Sequence, residues 1–404
     1  FPELSKPVQM AWDAKGRLWV AVWPNYPERT PTSRIADKIL ILEDTDRDGK
    51  ADKCTVFAGG FDALDGVALH ERGVIVSAQP RLLLLRDTDG DGKADSREVL
   101  VSGLFEGNQQ LRANGLRWGL DNWVHVASGG HHRGHGAATK LKSHRSGAEV
   151  ATGSRDFRFR PDTGDLEPQS GPTQFGRNRD NWGRWFGTQN SNPLWHYVLP
   201  DHYLARNPAF AAEQTLVQLL TPANPPVFPA SAAEKRYHSF HQAGRFTSAC
   251  SAVLTRDQRT FGTGEGALDA LVCEPFHNLV QHARLTDRGV FVSNLHATTE
   301  LYYSDLRTMQ AVFPQVVLLG VDGRGNVIAL AVKYSSPSIT DPSKWPDPAS
   351  LQKPVFKGRL DLAQIKGEVM PFPTARVKRA RVLTDDFAPV EFLTTVKDNN
   401  TRNE

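Results

Sequence analysis

Cysteine is scarce in this 404-residue chain, which contains only Cys54, Cys250 and Cys273. These residues form neither a C-x-x-C nor a C-x-x-C-H motif, which excludes a zinc ribbon and a covalently attached haem. Cys250 and Cys273 lie in two apolar segments that can pair as neighbouring strands. A disulfide between them would add about 3 kcal/mol by restricting the unfolded chain. The alternative is two buried free thiols, and the sequence leaves both open.

Long apolar runs and an excess of one charge are also missing. No apolar run reaches the roughly 18 residues of a membrane-spanning helix, so we expect no transmembrane segment. The 48 Lys and Arg against 45 Asp and Glu give a net charge of +3, too balanced to indicate a nucleic-acid binder. The chain begins at Phe1 rather than Met. A removed signal peptide is one explanation, so we expect a secreted or periplasmic protein.

Turn-forming residues are plentiful, with 33 Gly and 26 Pro. An apolar strand, a polar turn and a second apolar strand recur at 8–20, 66–76, 114–126 and 317–330. This pattern indicates β-hairpins, and the early copies are about 50 residues apart, within the range of propeller blades. We therefore predict an all-β fold, a six- or seven-bladed β-propeller over residues 1–335. Residues 336–404 are predicted to be a Pro-rich C-terminal extension with a mobile end.

Two acidic loops give the sharpest local signal. They span 44–52 and 87–95, and each has carboxylates at its first, third, fifth and ninth positions with Gly at the sixth. Alternate carboxylates on a tight turn converge on one point, as in calcium loops. The twelfth position is Glu98 in the second loop and Thr55, a poorer ligand, in the first. The alternative is an acidic hairpin turn without metal. The predicted calcium ligands are Asp44, Asp46, Asp48, Asp52, Asp87, Asp89, Asp91, Asp95 and Glu98.

Histidines suggest catalytic groups at two places. His131, His132 and His135 lie within five residues of one another and can bind a transition metal or supply a general base; the alternative is a mobile loop. His277 follows Glu274 at a strand start and can do acid–base work, although a buried, hydrogen-bonded His is the other interpretation. We take His277, His131 and Arg117 as the catalytic candidates.

A polar and aromatic band over 177–196 combines Trp, Arg and Asn, the side chains that line sugar or cofactor pockets. Three further polar residues, Arg112, Asn114 and Arg117, lie beside the strand that begins near Leu116. We expect them to face a central funnel. Packing between blades is the alternative for each of them. The predicted substrate-binding residues are Arg112, Asn114, Arg177, Trp182, Asn190, Asn192 and Arg245.

Six segments together resemble a known family. They are 7–20, 42–46, 114–120, 175–197 and 245–250, together with the Cys273 segment. They resemble the membrane-bound dehydrogenase domain of planctomycetes and related bacteria, which is similar in turn to soluble quinoprotein glucose and sorbosone dehydrogenases. The resemblance covers residues 1–285 and implies a propeller, an extracytoplasmic setting and oxidation of a sugar or alcohol.

The resemblance also implies cofactors and partners. The quinoprotein relatives use pyrroloquinoline quinone and place a catalytic His shortly before the strand that begins here near Leu116. Leu111 and Arg112 stand at that place, so no catalytic His is carried over and the quinone is only a possible cofactor. A cytochrome c is a possible electron acceptor. Three functions stay open: a carbohydrate oxidoreductase, a non-catalytic glycan- or partner-binding scaffold in a redox assembly, and a glycan lyase or hydrolase.

Overall fold

The computed structural model of the chain describes residues 1–26, 37–71, 73–130, 139–206, 215–229, 244–261, 268–285, 290–296, 300–320, 326–332, 343, 369–380 and 382. The chain divides into two compact units, Phe1–Leu285 and Thr286–Glu404. The boundary expected at residue 335 falls inside the second unit. Within the described ranges, no helix is long and apolar enough to cross a membrane.

The first unit consists mainly of short antiparallel strands. They are β1 (Pro7–Trp12), β2 (Leu18–Val22), β3 (Asp37–Glu43), β4 (Lys53–Phe61), β5 (Leu64–His70), β6 (Gly73–Ala78), β7 (Arg81–Arg86), β8 (Ser96–Ser102), β9 (Asn114–Trp118), β10 (Val124–Ala127), β11 (Lys140–Ser143), β12 (Glu149–Ala151), β13 (Asp156–Phe159), β14 (Leu166–Gln169), β15 (Asn178–Arg179), β16 (Trp185–Gln189), β17 (Asn192–Tyr197), β18 (Leu216–Gln218), β19 (Cys250–Thr255), β20 (Leu268–Glu274) and β21 (Leu279–Leu285).

The helices among the described residues of this unit are single turns. They are the α-helices α1 (Asp201–Leu204) and α2 (Gln258–Phe261) and the 3₁₀ helices Gln109–Leu111 and Pro275–His277.

The strands form five successive sheets. Their orders are β1-β2-β3-β4, β5-β6-β7-β8, β9-β10-β13-β14, β15-β16-β17-β18 and β19-β20-β21. The pair β11 and β12 leaves the third sheet and extends the second beyond β8. The first three repeats of the sequence pattern are the first hairpins of the first three sheets. The hairpin prediction is confirmed, because turn residues and flanking apolar runs are local signals.

Apolar faces of neighbouring sheets pack against each other, as expected for sheets that cannot cover both faces alone. Ile41 of the first sheet shares a core with Val74 of the second, and Ile75 shares another with Phe157 of the third. Phe186 of the fourth sheet packs in a core with Ala270 of the fifth. Strands covered on both faces, such as β6, are buried throughout.

The first strand of each sheet lies beside the first strand of the next. The Gln9 amide of β1 donates to the carbonyls of Val67 in β5 and Leu116 in β9, at 3.1 Å each. A side chain at Gly115 would collide with the backbone of Gly176, and one at Gly176 with Ser251 of β19. Both glycines have positive φ, +61° and +74°. These first strands therefore form the inner ring of an all-β propeller, which confirms the predicted fold class; the number of blades stays a prediction.

The second unit contains β22 (Val290–His296), α3 (Glu300–Val312), β23 (Gln315–Gly320), β24 (Asn326–Val332), β25 (Val369–Met370) and α4 (Thr374–Val377). Its sheet has the order β22-β24-β23-β25. The fourth repeat of the sequence pattern is the β23–β24 hairpin. Leu306 of α3 packs against Leu318 and Ala329 of this sheet.

Candidate functional site

A cavity of about 540 Å³ lies where the inner strands of the first unit begin. Because neighbouring inner strands start at the same end of the ring, the segments that precede them converge on one mouth. The turns between the second and third strands of their sheets complete the wall. The lining residues are Lys6, Pro7, Val8, Trp23, Tyr26, Asp65, Gln109, Gln110, Gln174, Phe175, Asn190, Thr247, Ser248, Ala249, Cys250, Pro275 and Phe276.

Asp65 is the buried carboxyl group of this cavity. It lies on β5 with 2% of its surface exposed. Among the described residues, its carboxyl accepts one side-chain hydrogen bond, at 3.3 Å from the Gln79 amide. Burial raises the pKa of Asp65 to about 8, and the neighbouring charges of Asp37 and Arg112 act in opposite directions. The group is therefore mostly protonated at neutral pH, so it can donate a hydrogen bond or a proton into the cavity.

The rest of the lining is rich in amides, hydroxyls and aromatic rings. Trp23 and Tyr26 form one aromatic corner, with ring centroids 5.1 Å apart. The Tyr26 hydroxyl accepts from the Gln110 amide at 3.1 Å. The Lys6 ammonium donates to the Tyr26 carbonyl at 2.6 Å. The wall thus presents apolar ring faces beside groups that both donate and accept hydrogen bonds.

Of the predicted substrate-binding residues, Asn190 lines the cavity. Its backbone N–H donates to Gln174 Oε1 at 3.1 Å, and its carbonyl accepts from Ala249. Asn192, two residues on, begins β17 and is not part of the wall. The turn between β16 and β17 therefore contributes one of the two asparagines.

Arg112 and Asn114 lie close to the cavity without lining it. Arg112 acts on Asp65 through its charge and donates to the Glu106 carbonyl at 3.0 Å. Asn114 is buried; its amide donates to the Arg112 and Gln174 carbonyls, and its carbonyl oxygen accepts from the backbone of Gly176. Asn114 therefore ties β9 to the segment before β15.

Arg177 is in a buried ion pair rather than in the cavity wall. Its Nη1 lies 2.9 Å from Asp156 Oδ2, and both side chains are at most 1% exposed. The same nitrogen donates to the Ser170 carbonyl at 2.6 Å. The guanidinium also stacks 4.2 Å above the Tyr197 ring. This polar cluster joins the third and fourth sheets.

Arg117 and Trp182 are both exposed. Trp182 lies in the turn between β15 and β16, with the Arg256 guanidinium 3.8 Å above its ring. Asp180, which is fully buried, accepts from Arg184 and Arg256. Neither Arg117 nor Trp182 lines the cavity.

His277 and Arg245 lie behind the cavity wall. His277 is 3% exposed, and its Nε2 lies 2.9 Å from the Arg245 carbonyl. The Arg245 guanidinium donates to the Asn224 carbonyl at 2.6 Å. Phe276, which does line the cavity, packs edge-on against His277. His131 and its neighbouring histidines are outside the described residues.

The two acidic loops bring carboxylates together, but not all those predicted. Oxygens of Asp44, Asp46 and Asp48 lie within 4.8 Å of one another in the first loop. Asp52 is outside this group; the Thr45 hydroxyl donates to it at 2.7 Å and lowers the pKa of its carboxyl.

In the second loop, the oxygens of Asp87, Asp89 and Asp95 lie within 4.8 Å of one another. Asp91 is outside this group. Glu98 lies on β8, and its carboxylate is 2.9 Å from both Arg86 and Arg145. These two arginines, rather than the loop, hold the predicted twelfth-position ligand.

Asp65 is the functional candidate that the sequence reasoning missed. The signal was an acidic residue inside an apolar run, Ala63-Leu64-Asp65-Gly66-Val67, at the start of a repeat. A carboxyl there must be buried when the repeat folds, and burial raises the pKa of a carboxyl group.

The inner ring of strands, with the polar cavity at its mouth, defines a β-propeller. Residues 2–310 match a family described as a domain of unknown function, DUF7133, and the chain belongs to that family. No curated protein matches the chain.

Solved structures similar to the chain have low identity. A luciferin-regenerating enzyme is 11% identical with a TM-score of 0.36, over 83% of this chain and 96% of that one. The PQQ domain of pyranose dehydrogenase from Coprinopsis cinerea is 11% identical with a TM-score of 0.35, over 81% and 93%. The extracellular domain of a one-component system from B. thetaiotaomicron is 8% identical with a TM-score of 0.32, over 83% and 45%. At these values no activity transfers to this chain.

Proposed function

We propose that the cavity binds a small polyhydroxylated ligand, a carbohydrate or a close chemical relative, with Asp65 as its proton donor. The observation that carries the proposal is a buried carboxyl with a pKa of about 8 in the wall of a 540 Å³ cavity. A volume of this size accommodates a small ligand.

The lining matches sugar hydroxyls in chemistry. Each hydroxyl donates and accepts hydrogen bonds, and the side-chain amides of Gln109, Gln110, Gln174 and Asn190 do the same. The ring faces of Trp23, Tyr26, Phe175 and Phe276 supply apolar surface for the C–H faces of a sugar. A hydrocarbon ligand would displace water from these amides without replacing its hydrogen bonds, at a cost in affinity.

Asp65 gives the site one group that can transfer a proton. As the acid it protonates a departing or carbonyl oxygen, and as the base it removes a hydroxyl proton. Glycoside hydrolysis ordinarily requires two carboxyl groups, and the described lining holds only Asp65. The proposal is therefore ligand binding with acid–base chemistry at Asp65, and a hydrolase is the weaker alternative.

Pyrroloquinoline quinone does not fit the described lining. It is a tricarboxylate, which requires several cations, whereas Lys6 is the one cationic residue of the described wall. The Lys6 ammonium already donates to a carbonyl. Oxidation of the sugar, with a cytochrome c as electron acceptor, stays a prediction from the family resemblance, as does a secreted or periplasmic location.

Calcium binding at the acidic loops is a second part of the proposal. Asp44, Asp46 and Asp48 repel one another at distances below 4.8 Å, and so do the three carboxylates of the second loop. A hard cation with oxygen ligands relieves that repulsion, and carboxylates on a Gly-containing turn suit calcium. The loops are exposed and outside the cavity wall, so the ions are structural in this proposal.

The cavity proposal is tested by calorimetric titration of the full chain with a panel of neutral sugars, sugar acids and polyols at pH 6 to 9. Asp65→Asn keeps a neutral hydrogen-bond donor, so we expect affinity within about threefold of the parent and loss of any turnover. Asp65→Ala removes the donor and is expected to weaken binding about tenfold or more. Asp162→Ala, at an exposed carboxylate, is the control.

The pH dependence gives a further readout. The parent should bind best below about pH 8, where Asp65 is protonated, and Asp65→Asn should show no such decline. Absence of binding across the panel, or unchanged binding by Asp65→Ala, would contradict the proposal.

A further inference from the structure

Cys250 and Cys273 stand directly opposite each other on neighbouring antiparallel strands of the first unit. They are Cα partners at the start of the β19–β20 pairing. Directly opposite residues place their side chains on the same face, with Cα atoms about 4.5–5.5 Å apart. Disulfides span Cα separations of about 4.4–6.8 Å. Both thiols are free in the structure.

One member of the pair lies in the wall of the cavity. Cys250 lines it, together with Thr247, Ser248 and Ala249. This wall segment is already tied to the end of β20, because the Glu274 carboxylate accepts from the backbone N–H groups of Thr247 and Ser248 at 3.1 and 2.9 Å. A disulfide beside these hydrogen bonds would join the same wall segment to the same end of β20, so it would reinforce the arrangement already present.

We propose that Cys250 and Cys273 are a disulfide-forming pair, so that this cavity wall carries a redox-modifiable cross-link. With a small-molecule disulfide such as oxidised glutathione, one thiolate attacks the reagent and releases one glutathione thiol. The second cysteine then attacks the mixed disulfide and releases the other. The protein loses two protons and two electrons and gains one S–S bond, while one molecule of oxidant is reduced to two thiols.

The surroundings set the rate of this exchange. Burial raises the pKa of Cys250 to about 12, with the neighbouring Cys273 as the second cause, and burial also raises the pKa of Cys273. The thiolate is the attacking species, so exchange is slow at neutral pH and accelerates by about tenfold per pH unit below the thiol pKa. The open cavity gives a small reagent access to Cys250.

The experiment incubates the reduced full chain with oxidised glutathione at pH 7 and pH 9, followed by acid quench, denaturation and alkylation. We expect the number of free thiols to fall from three to one, with a mass loss of about 2 Da. Peptide mapping should join Cys250 to Cys273 and leave Cys54 alkylated. The reaction should be faster at pH 9.

The third cysteine provides the matched control. Cys54→Ser should still form the bond and lose both remaining thiols, whereas Cys250→Ser and Cys273→Ser should form no intramolecular disulfide. Retention of all three thiols by the parent at pH 9, or cross-links found only between molecules, would overturn the proposal. Because this readout needs no ligand, it is independent of the proposed carbohydrate site.

Discussion

Asp65 and Asp156 are both buried carboxyl groups of the first unit, yet they have opposite surroundings. Asp156 accepts from the backbone N–H groups of Ser128 and Thr173, from the Thr173 hydroxyl, and from the Arg177 guanidinium at 2.9 Å. It is fully buried within the interface between the third and fourth sheets.

Asp65 has one side-chain hydrogen bond among the described residues and faces a cavity. A buried charge is tolerated where partners replace its hydration, and otherwise the group holds its proton. The same residue type thus pairs with an arginine at one place and, in our proposal, acts as a proton donor at the other.

The largest effect is expected where a buried pair is broken. Arg177→Met leaves Asp156 as an uncompensated buried charge, which should lower the free energy of unfolding by about 3–5 kcal/mol. Urea unfolding followed by fluorescence measures it. Arg117→Met, at an exposed position, is the matched control and should stay within about 0.5 kcal/mol of the parent. A loss of less than ~1 kcal/mol for Arg177→Met would show that the pair does not hold the two sheets together.

Asp65 should make stability depend on pH. Its carboxyl has a pKa of about 8 when folded, against 3.8 as the ordinary value. The folded chain therefore binds more protons than the unfolded chain between these values, and stability falls as pH rises through that window, by up to ~1.4 kcal/mol per pH unit.

Asp65→Asn removes this contribution to the pH dependence of the free energy of unfolding. From about pH 6 to pH 8 the parent should lose ~2 kcal/mol relative to the variant in urea unfolding. Asp162→Asn, at an exposed carboxylate, should follow the parent. Parallel pH profiles of the parent and Asp65→Asn would show that Asp65 is ionised in the folded chain.

The acidic loops extend the comparison to carboxylates near the surface, for which we propose a calcium ion as the partner. Calcium at about 100 times its dissociation constant should stabilise the chain by ~2.7 kcal/mol, measured as a rise in Tm that a chelator reverses. Asp89→Ala should remove the contribution of the second loop, because Asp89 belongs to its carboxylate group. A Tm that changes with neither calcium nor chelator would refute metal binding by these loops.

The smallest effect is expected at Glu98, a partly exposed carboxylate that already has partners. Glu98→Gln breaks its ion pairs with Arg86 and Arg145 and should cost at most ~1 kcal/mol, since solvent screens surface ion pairs. Its calcium response should equal that of the parent. A calcium response lost with Glu98→Gln would place Glu98 in the metal site after all.

The sequence predicted the propeller through features that act locally. Hairpins such as 8–20 and 66–76 show their turn residues and apolar runs directly, and alternate aspartates predict a convergent loop. The two apolar segments around Cys250 and Cys273 also predicted a pair of neighbouring strands, which the structure shows to be antiparallel.

The cavity could not be predicted in the same way. Burial raises the pKa of Asp65, while Gln79 and Arg112, which are remote in sequence, lower it by a smaller amount. Arg177 lies in a segment whose composition is typical of ligand-binding sites, but its guanidinium pairs with a carboxylate 21 positions away. Such roles depend on which sheets stack together, and strand patterns do not specify that.

The most direct test is to measure the ionisation of Asp65 itself. Infrared spectroscopy of the carboxyl C=O band can monitor it as pH changes. The difference between the parent and Asp65→Asn isolates the signal of this one group. We predict a protonated band at pH 7 that disappears with a midpoint near pH 8. A carboxylate band already present at pH 7, with a midpoint near the ordinary value of 3.8, would contradict the proposal that Asp65 is the proton donor of the cavity.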